Sequence, residues 1–258
     1  MKKAVILPDL HHPYHNKKAW LCVLNFIKWF KPDIIVLLGD AIEMRSIDHW
    51  KREKGNLKAF EGKRILHDYQ DFEEDVLLPL EKLCPKAEKH YLFGNHEDWQ
   101  YQLVEQNPQM EGLVEIENVL HLKERGWHVI PYLIRGKRGS ALRGSLKLGK
   151  LTLVHGEYTN KYHSEKTSQS YMKSVMYGHT HDRQLYTKVH VEDPTDYHTC
   201  SSIGCLCDKS PQYLWGRPNR WVHAFAIIYL QKSGLFNDYV PIIINGQFMY
   251  AGRSFSWK

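Results

Sequence analysis

Apolar residues gather in short, strand-length runs along this chain, and carboxylates or histidines stand just beyond most of them. Lys3–Leu7 is the first run, and it stops at Pro8-Asp9. Lys17–Phe30 then sets Trp20, Leu21, Leu24, Ile27 and Phe30 at close to helical spacing, until Lys31-Pro32-Asp33 ends it. Ile34–Leu38 is an unbroken β-branched and leucine run closing on Gly39-Asp40. Strand, helix and strand in that order read as a βαβ unit.

Further along, the pattern predicts an amphipathic helix over His67–Leu83, carrying Tyr69, Phe72, Val76, Leu80 and Leu83, and a short strand over His90–Phe93. Trp99–Lys123 reads as helical with a break near Pro108. β segments follow at Trp127–Ile134, Ser145–Leu148 and Leu151–Val154, then a short helix over Glu165–Lys173 and a strand over Ser174–Tyr177. The tail alternates strands and turns at Val222–Leu230, Tyr239–Ile244 and Gln247–Tyr250. Met44–Lys63 has no clear period, and the aromatic-rich stretch from Trp50 to Tyr69 is a candidate for part of a lid. A chain of 258 residues can bury a full core, and no repeat or long linker divides it. The expectation is one domain over residues 1–258, an α/β fold of two packed mixed β-sheets flanked by helices.

The residues at the ends of these runs form five blocks: Pro-Asp-Leu-His, Leu-Leu-Gly-Asp, Gly-Asn-His-Glu, Val-His-Gly and Tyr-Gly-His-Thr-His. They contribute Asp9, His11, Asp40, Asn95, His155, His179 and His181. The carboxyl ends of strands are where α/β folds place their chemistry. Carboxylate, amide and imidazole donors together describe a site for two divalent ions that hydrolyses a phosphate ester. The mixed oxygen and nitrogen set suits Mn²⁺ first, with Fe, Zn²⁺ or Ni²⁺ as alternatives.

The ordered set Asp-x-His, Gly-Asp, Gly-Asn-His-Glu, His and Gly-His-x-His, spanning residues 9 to 181, resembles the calcineurin-like metallophosphoesterase superfamily. The resemblance implies that Asp40 bridges two ions, with Asp9, His11 and His181 completing one and Asn95, His155 and His179 the other. It implies a water acidified between the ions as nucleophile. It also turns His96 toward the substrate, as proton donor to the leaving oxygen or stabiliser of transition-state charge. Glu43 matches an acidic position that in some relatives orients this histidine, against the plainer reading of a surface carboxylate. Glu97 is a candidate for bonding a ligand histidine. His12 and His15 are expected to bond locally, away from any ion, and a substrate-side role for His163 has no support in the sequence.

The choice of ester is less constrained. Protein phosphatases of this superfamily carry Asp-Arg-Gly where this chain has Glu43-Met44-Arg45, which removes their phosphate-binding arginine from its usual place. The doubled Gly-His-Thr-His resembles the phosphodiesterase and nuclease side of the superfamily. A phosphodiesterase acting on nucleotide or nucleic-acid substrates is therefore favoured. A phosphomonoesterase of phosphoprotein or small metabolites is the alternative, and a non-catalytic scaffold a remoter one. Asp-Leu-His-His-Pro-Tyr-His near the start, and Ile-Gly-Cys-Leu-Cys followed by Gly-Arg-Pro-Asn-Arg-Trp, resemble compact phosphoesterases of bacteriophages. In that late motif Arg217 and Arg220, flanked by Trp215 and Trp221, are candidates to contact phosphate and stack a base, or else form a packed surface loop.

Net charge is +6. Arg135, Lys137, Arg138, Arg143, Lys147 and Lys150 crowd one glycine-rich segment without an acid, which favours a polyanionic partner or marks a solvated hairpin. No large capping domain is visible after His181, which favours a short oligonucleotide, cyclic nucleotide or simple diester and leaves the basic segment in tension with that choice. Five cysteines with no leader pattern point to reduced thiols in structural roles rather than a zinc cluster. With no membrane-length apolar stretch, the expectation is a cytoplasmic protein.

Overall fold

The computed structural model describes residues 1–258 except 49–50, 52–54, 56, 137–139, 194 and 212–213. Part of the proposed lid, including Trp50, and Lys137 and Arg138 of the basic run therefore lie outside the described residues. Strand β1 (Lys2–Leu7) pairs in parallel with β2 (Ile34–Leu38), β2 with β3 (Glu88–Leu92), and β3 with β4 (Trp127–Ile130). Helix α1 (Lys17–Phe30) makes the first crossover. Its N-terminus is capped by the Asn16 side chain, which accepts from the Ala19 amide at 3.0 Å, and Lys31 in the left-handed region ends it.

The segment expected as one helix over His67–Leu83 is continuous but irregular. It runs from α2 (Ile65–Phe72) through a π-helical turn (Glu73–Leu77) into α3 (Leu78–Leu83). The next helix starts four residues earlier than its apolar pattern suggests, as α4 (Asn95–Gln106). Beyond it the chain forms a turn at Pro108–Met110 and the short α5 (Ile116–Val119) rather than helix to Lys123. The long strand expected after Trp127 is divided at Pro131: β5 (Leu133–Arg135) leaves β4 to form a hairpin with β6 (Ala141–Arg143).

A second sheet holds β7 (Leu146–Leu148), β8 (Leu151–Val154), β9 (Val175–Tyr177), β10 (Leu185–Val189) and β11 (Tyr197–Ser202). Within it β8, β9 and β11 are parallel neighbours, and helix α6 (His163–Tyr171) crosses between β8 and β9. The first sheet is completed on its β1 edge by antiparallel β12 (Ala226–Leu230) and β13 (Phe236–Tyr239). A separate hairpin, β14 (Gln247–Tyr250) and β15 (Arg253–Ser256), packs on α1.

The alternation of the strands decides the layers. Ala4, Ile6, Ile34, Val36, Leu38 and Ala226 face Leu148, Leu151, Leu153 and Met176 of the second sheet. Val5, Leu7, Ile35, Leu37 and Tyr91 point the other way, onto Val23, Phe26, Phe72, Val76 and Leu80 of the helices. Tyr171 of α6 packs against Val154, Val175 and Tyr177 on the outer face of the second sheet. The result is the two-sheet sandwich with helices outside that the sequence predicts. Each fully buried Leu, Ile or Val contributes about 1.5–3 kcal/mol to holding it together. No helix among the described residues is long and apolar enough to cross a membrane.

Candidate metal centre

Five strands of the two sheets, β1, β2, β3, β8 and β9, end at one rim, and the chain past each end carries the candidate ligands. The loops after β1 and β2 are laced by backbone bonds: the His11 amide donates to the Asp40 carbonyl at 2.8 Å, and the Glu43 amide to the His12 carbonyl at 2.9 Å. The loops after β8 and β9 are joined by the Gly178 amide on the His155 carbonyl at 2.9 Å. The late segment closes a third side, with the Leu206 amide on the Asp9 carbonyl and the Val222 amide on the His181 carbonyl.

This lacing brings all seven residues together. Asp40 Oδ2 lies 3.2 Å from His155 Nε2 and 3.8 Å from His11 Nε2, so it faces both halves of the cluster. On one side His155 Nε2 is 3.2 Å from Asn95 Oδ1, and the His179 ring stands 5.1 Å from the His155 ring. On the other, His181 Nε2 is 3.2 Å from both Asp9 Oδ1 and His11 Nε2. Apart from Asn95 and His179 these side chains are buried. Asp9, His11, Asp40, His179 and His181 all have positive φ, between 45° and 67°. Such concentrated strain persists only where the surroundings over-determine the backbone.

Two glycines allow the close approach. A Cβ at Gly94 would collide with Asp40 Oδ1, and one at Gly178 with Asp9 Oδ2. The freed space lets each carboxylate accept backbone amides: Asp40 Oδ1 from His96 at 3.0 Å, and Asp9 from His179 at 3.0 Å.

The donor set fits divalent cations. His11 Nδ1 lies 2.7 Å from Glu43 Oε2, and His155 Nδ1 lies 3.0 Å from the Leu38 carbonyl. Each outer bond places a hydrogen on Nδ1 and leaves Nε2 as the ligand nitrogen. The charges agree. Burial works against a charged His11, yet Glu43, Asp40 and Asp9 outweigh it and hold its pKa up at about 10. Against the same burial, Asp40 and Asp9 hold His155 up at about 9. Burial would raise Asp40, but His155, His96 and His11 keep it well below the usual carboxylate range. His179 goes the other way: burial and the neighbouring His155 push it down to about 4. The carboxylates draw positive charge into the cluster, charge that a divalent ion would supply in place of those protons.

His96 sits beside the cluster. Its Nδ1 is 3.2 Å from the Glu43 carbonyl and its Nε2 is 3.9 Å from Asp40 Oδ2, while the Trp99 ring packs on it at 4.1 Å. Glu43 thus serves two histidines: its carboxylate bonds His11 and stands 3.5 Å from His96 Nδ1. Glu97 does something other than bond a histidine. It accepts from the Asp40, Ala41 and Gly94 amides at 3.0, 2.8 and 2.7 Å, and from the Tyr91 hydroxyl at 2.7 Å, pinning the Asp40 turn to the start of α4. Its place three residues past Gly94 is the capping signal that sequence alone could have offered.

Other candidates lie elsewhere. His12 turns to Asp75 at 3.0 Å and stacks on His15. His163 is buried between Tyr177 and Asp182. Arg217 is exposed in the turn after Leu214, and Arg220 lines a side depression. Arg135 forms two 3.0 Å bonds to Asp98, and Arg143 pairs with Glu157 over the Tyr132 ring, so part of the basic run is already neutralised. Two neighbours of the cluster come from the late motifs, whose residues the sequence did not place beside the ligands. Cys207 Sγ lies 3.7 Å from His181 Nδ1, and the Trp221 ring stands 4.2 Å from that of His181. All five cysteines are buried free thiols.

A family profile described as calcineurin-like phosphoesterase matches residues 2–188. The chain belongs to that family. Membership makes it a metal-dependent phosphoesterase. The chain is 24% identical to the Gene 54 protein of Mycobacterium phage D29 and 22% identical to that of Mycobacterium phage L5, each over 98% of both chains. Among solved structures, Vacuolar Protein Sorting 29 from Cryptosporidium parvum aligns over 99% of this chain and 95% of its own, at 12% identity and a TM-score of 0.42. A conserved uncharacterised protein described as a predicted phosphoesterase, from Streptococcus pneumoniae, aligns over 99% and 97% at 12% identity and a TM-score of 0.36.

Proposed function

We propose that this phosphoesterase is a phosphodiesterase of nucleotide or nucleic-acid substrates working with two divalent ions, Mn²⁺ foremost. Asp9, His11 and His181 would hold one ion and Asn95, His155 and His179 the other, with Asp40 facing both sides. When bound, the ions supply an acidified water for in-line attack and neutralise charge on the phosphate oxygens.

The protein's own residues do the rest. The Glu43 carbonyl takes the His96 Nδ1 hydrogen, which leaves Nε2 on the Asp40 side of the ring. In its imidazolium form His96 carries a second hydrogen on Nε2, delivers it to the departing oxygen and is left neutral with its Nδ1 hydrogen in place, a contribution of about 10²–10⁴-fold. Trp99 packs against the ring and limits its rotation.

The observation that carries the diester reading is the commitment of Arg45. Its Nε donates to Asp68 at 2.8 Å, and the guanidinium also pairs with Asp71. The arginine two residues after Glu43 is thus held by two carboxylates. A monoester carries nearly two negative charges at neutral pH and gains most from such a guanidinium, whereas a diester carries one.

The test is turnover of paired chromogenic mono- and diesters by metal-stripped protein, with Mn²⁺, Zn²⁺, Mg²⁺ or Ni²⁺ restored separately and Asp40→Asn as control. Metal-dependent turnover with a higher kcat/KM on the diester is expected. A preference for the monoester would overturn the reading, and ions bound without turnover of either ester would favour a scaffold.

A further inference from the structure

A depression of about 330 Å³ opens between the start of α6 and β10. Its floor is Ser164 and Gln184, and its walls include Lys161, Tyr162, Tyr186 and Arg220. The floor is fixed: Gln184 Nε2 donates to the Lys161 carbonyl at 3.0 Å and to Asp182 Oδ2 at 3.2 Å, while Ser164 Oγ donates to Gln184 Oε1 at 3.2 Å. Asp182 is itself tied to the buried His163 at 3.1 Å. The walls are a different matter. The Lys161 ammonium lies over the Tyr162 ring at 5.0 Å, and among the described residues neither Lys161 nor Arg220 is paired with a carboxylate. Tyr162 is 60% exposed. Among the described residues Glu165 is the one acid on the lining, and Gln169 donates to it at 3.4 Å.

Two tethers bind this depression to the metal cluster. Gln184 is three residues beyond His181, a path of at most about 11 Å. Arg220 immediately precedes Trp221, whose ring stands 4.2 Å from that of His181. Two unpaired cations and two phenol rings match the phosphate and the base face of a nucleotide, while the amide floor, its donors spent on Lys161 and Asp182, holds the walls in place. The volume also falls within the ordinary range for small-ligand sites.

We infer that this depression is a subsite for a nucleotide unit flanking the scissile phosphate of a single-stranded nucleic acid. Lys161 and Arg220 hold the neighbouring phosphate, and Tyr162 or Tyr186 stacks its base. The inference rests on the diesterase reading, and it makes substrates longer than one nucleotide better than a bare diester.

Kinetics of the Mn²⁺-loaded enzyme on a short oligothymidylate and on a bare chromogenic diester decide it. The readout is the ratio of the two KM values, with binding of dye-labelled oligothymidylate to the metal-free chain as a second measurement. In Lys161→Ala/Tyr186→Ala, KM for the oligonucleotide should rise about tenfold more than KM for the bare diester. Tyr186→Phe, which keeps the ring, should hold the wild-type ratio, and thermal melting checks that both variants fold. An unchanged ratio in the double variant, with oligonucleotide cleavage intact, would overturn the subsite and leave the diesterase reading standing. Failure of the unmutated chain to cleave or bind the oligonucleotide, while it turns over the bare diester, would remove the subsite and its substrate class. A monoester preference in the unmutated chain would remove both readings together.

Discussion

The two halves of the metal cluster are secured by different means. On the His155 side the outer anchor is main chain, the Leu38 carbonyl at the end of the buried strand β2. On the His11 side the anchors are side chains: Glu43 at 2.7 Å from His11 Nδ1, and Cys207 at 3.7 Å from His181 Nδ1. Backbone at the end of a core strand changes only if the fold changes. Side-chain anchors can be exchanged one at a time, so in the proposed two-ion centre the His11 side would be the more adjustable of the two.

Asp40 is where the comparison collapses, because its Oδ2 faces both halves. Asp40→Asn is expected to cut kcat/KM by at least about 10³-fold and to weaken both ions, read by metal analysis after dialysis. Retention of two tightly bound ions would mean that the halves are independent. His96→Ala should come next, with kcat down about 10²–10⁴-fold while both ions stay bound. Loss of metal in that variant would make His96 a ligand, a role its approach to His11 and Asp40 also permits.

Glu43→Gln sharpens the contrast itself. It should weaken the ion on the His11 side by about 10–100-fold and leave the His155 side near wild type, so that a metal titration becomes two-phased. A uniform loss would show that the side-chain anchor serves both halves. Cys207→Ser should have the smallest effect, within about tenfold on the same titration phase. Burial, and the Cys205 thiol beside it, push the Cys207 pKa well up, so it faces His181 as a neutral, weakly accepting sulfur. An effect larger than that of Glu43→Gln would make the sulfur the main anchor of His181.

The same division between backbone and side chain explains what could be read from the sequence. β1, β2, β8 and β9 are largely buried, and each announces itself by a mainly apolar run with a ligand candidate one or two residues beyond its end. β10 escaped because Leu185–Val189 is largely exposed and has no alternation to mark a core face. Asn95 and His96 read as loop since the apolar spacing starts at Trp99, whereas Glu97 draws the helix back by taking the Gly94 amide. The seven ligand candidates were legible as a set through their places after strands. Trp221 stood out only as a candidate base stacker and Cys207 only within a late motif; their place beside His181 was not legible, because only the lacing of the late segment onto the Asp9 and His181 loops brings them there.

A Mn²⁺ titration of the metal-stripped chain, with diester turnover followed at each addition, tests the two-ion centre most directly. Two ions per chain, with turnover rising as the second site fills, is the result this arrangement predicts. Full turnover at one ion per chain, or turnover that needs no ion, would contradict it.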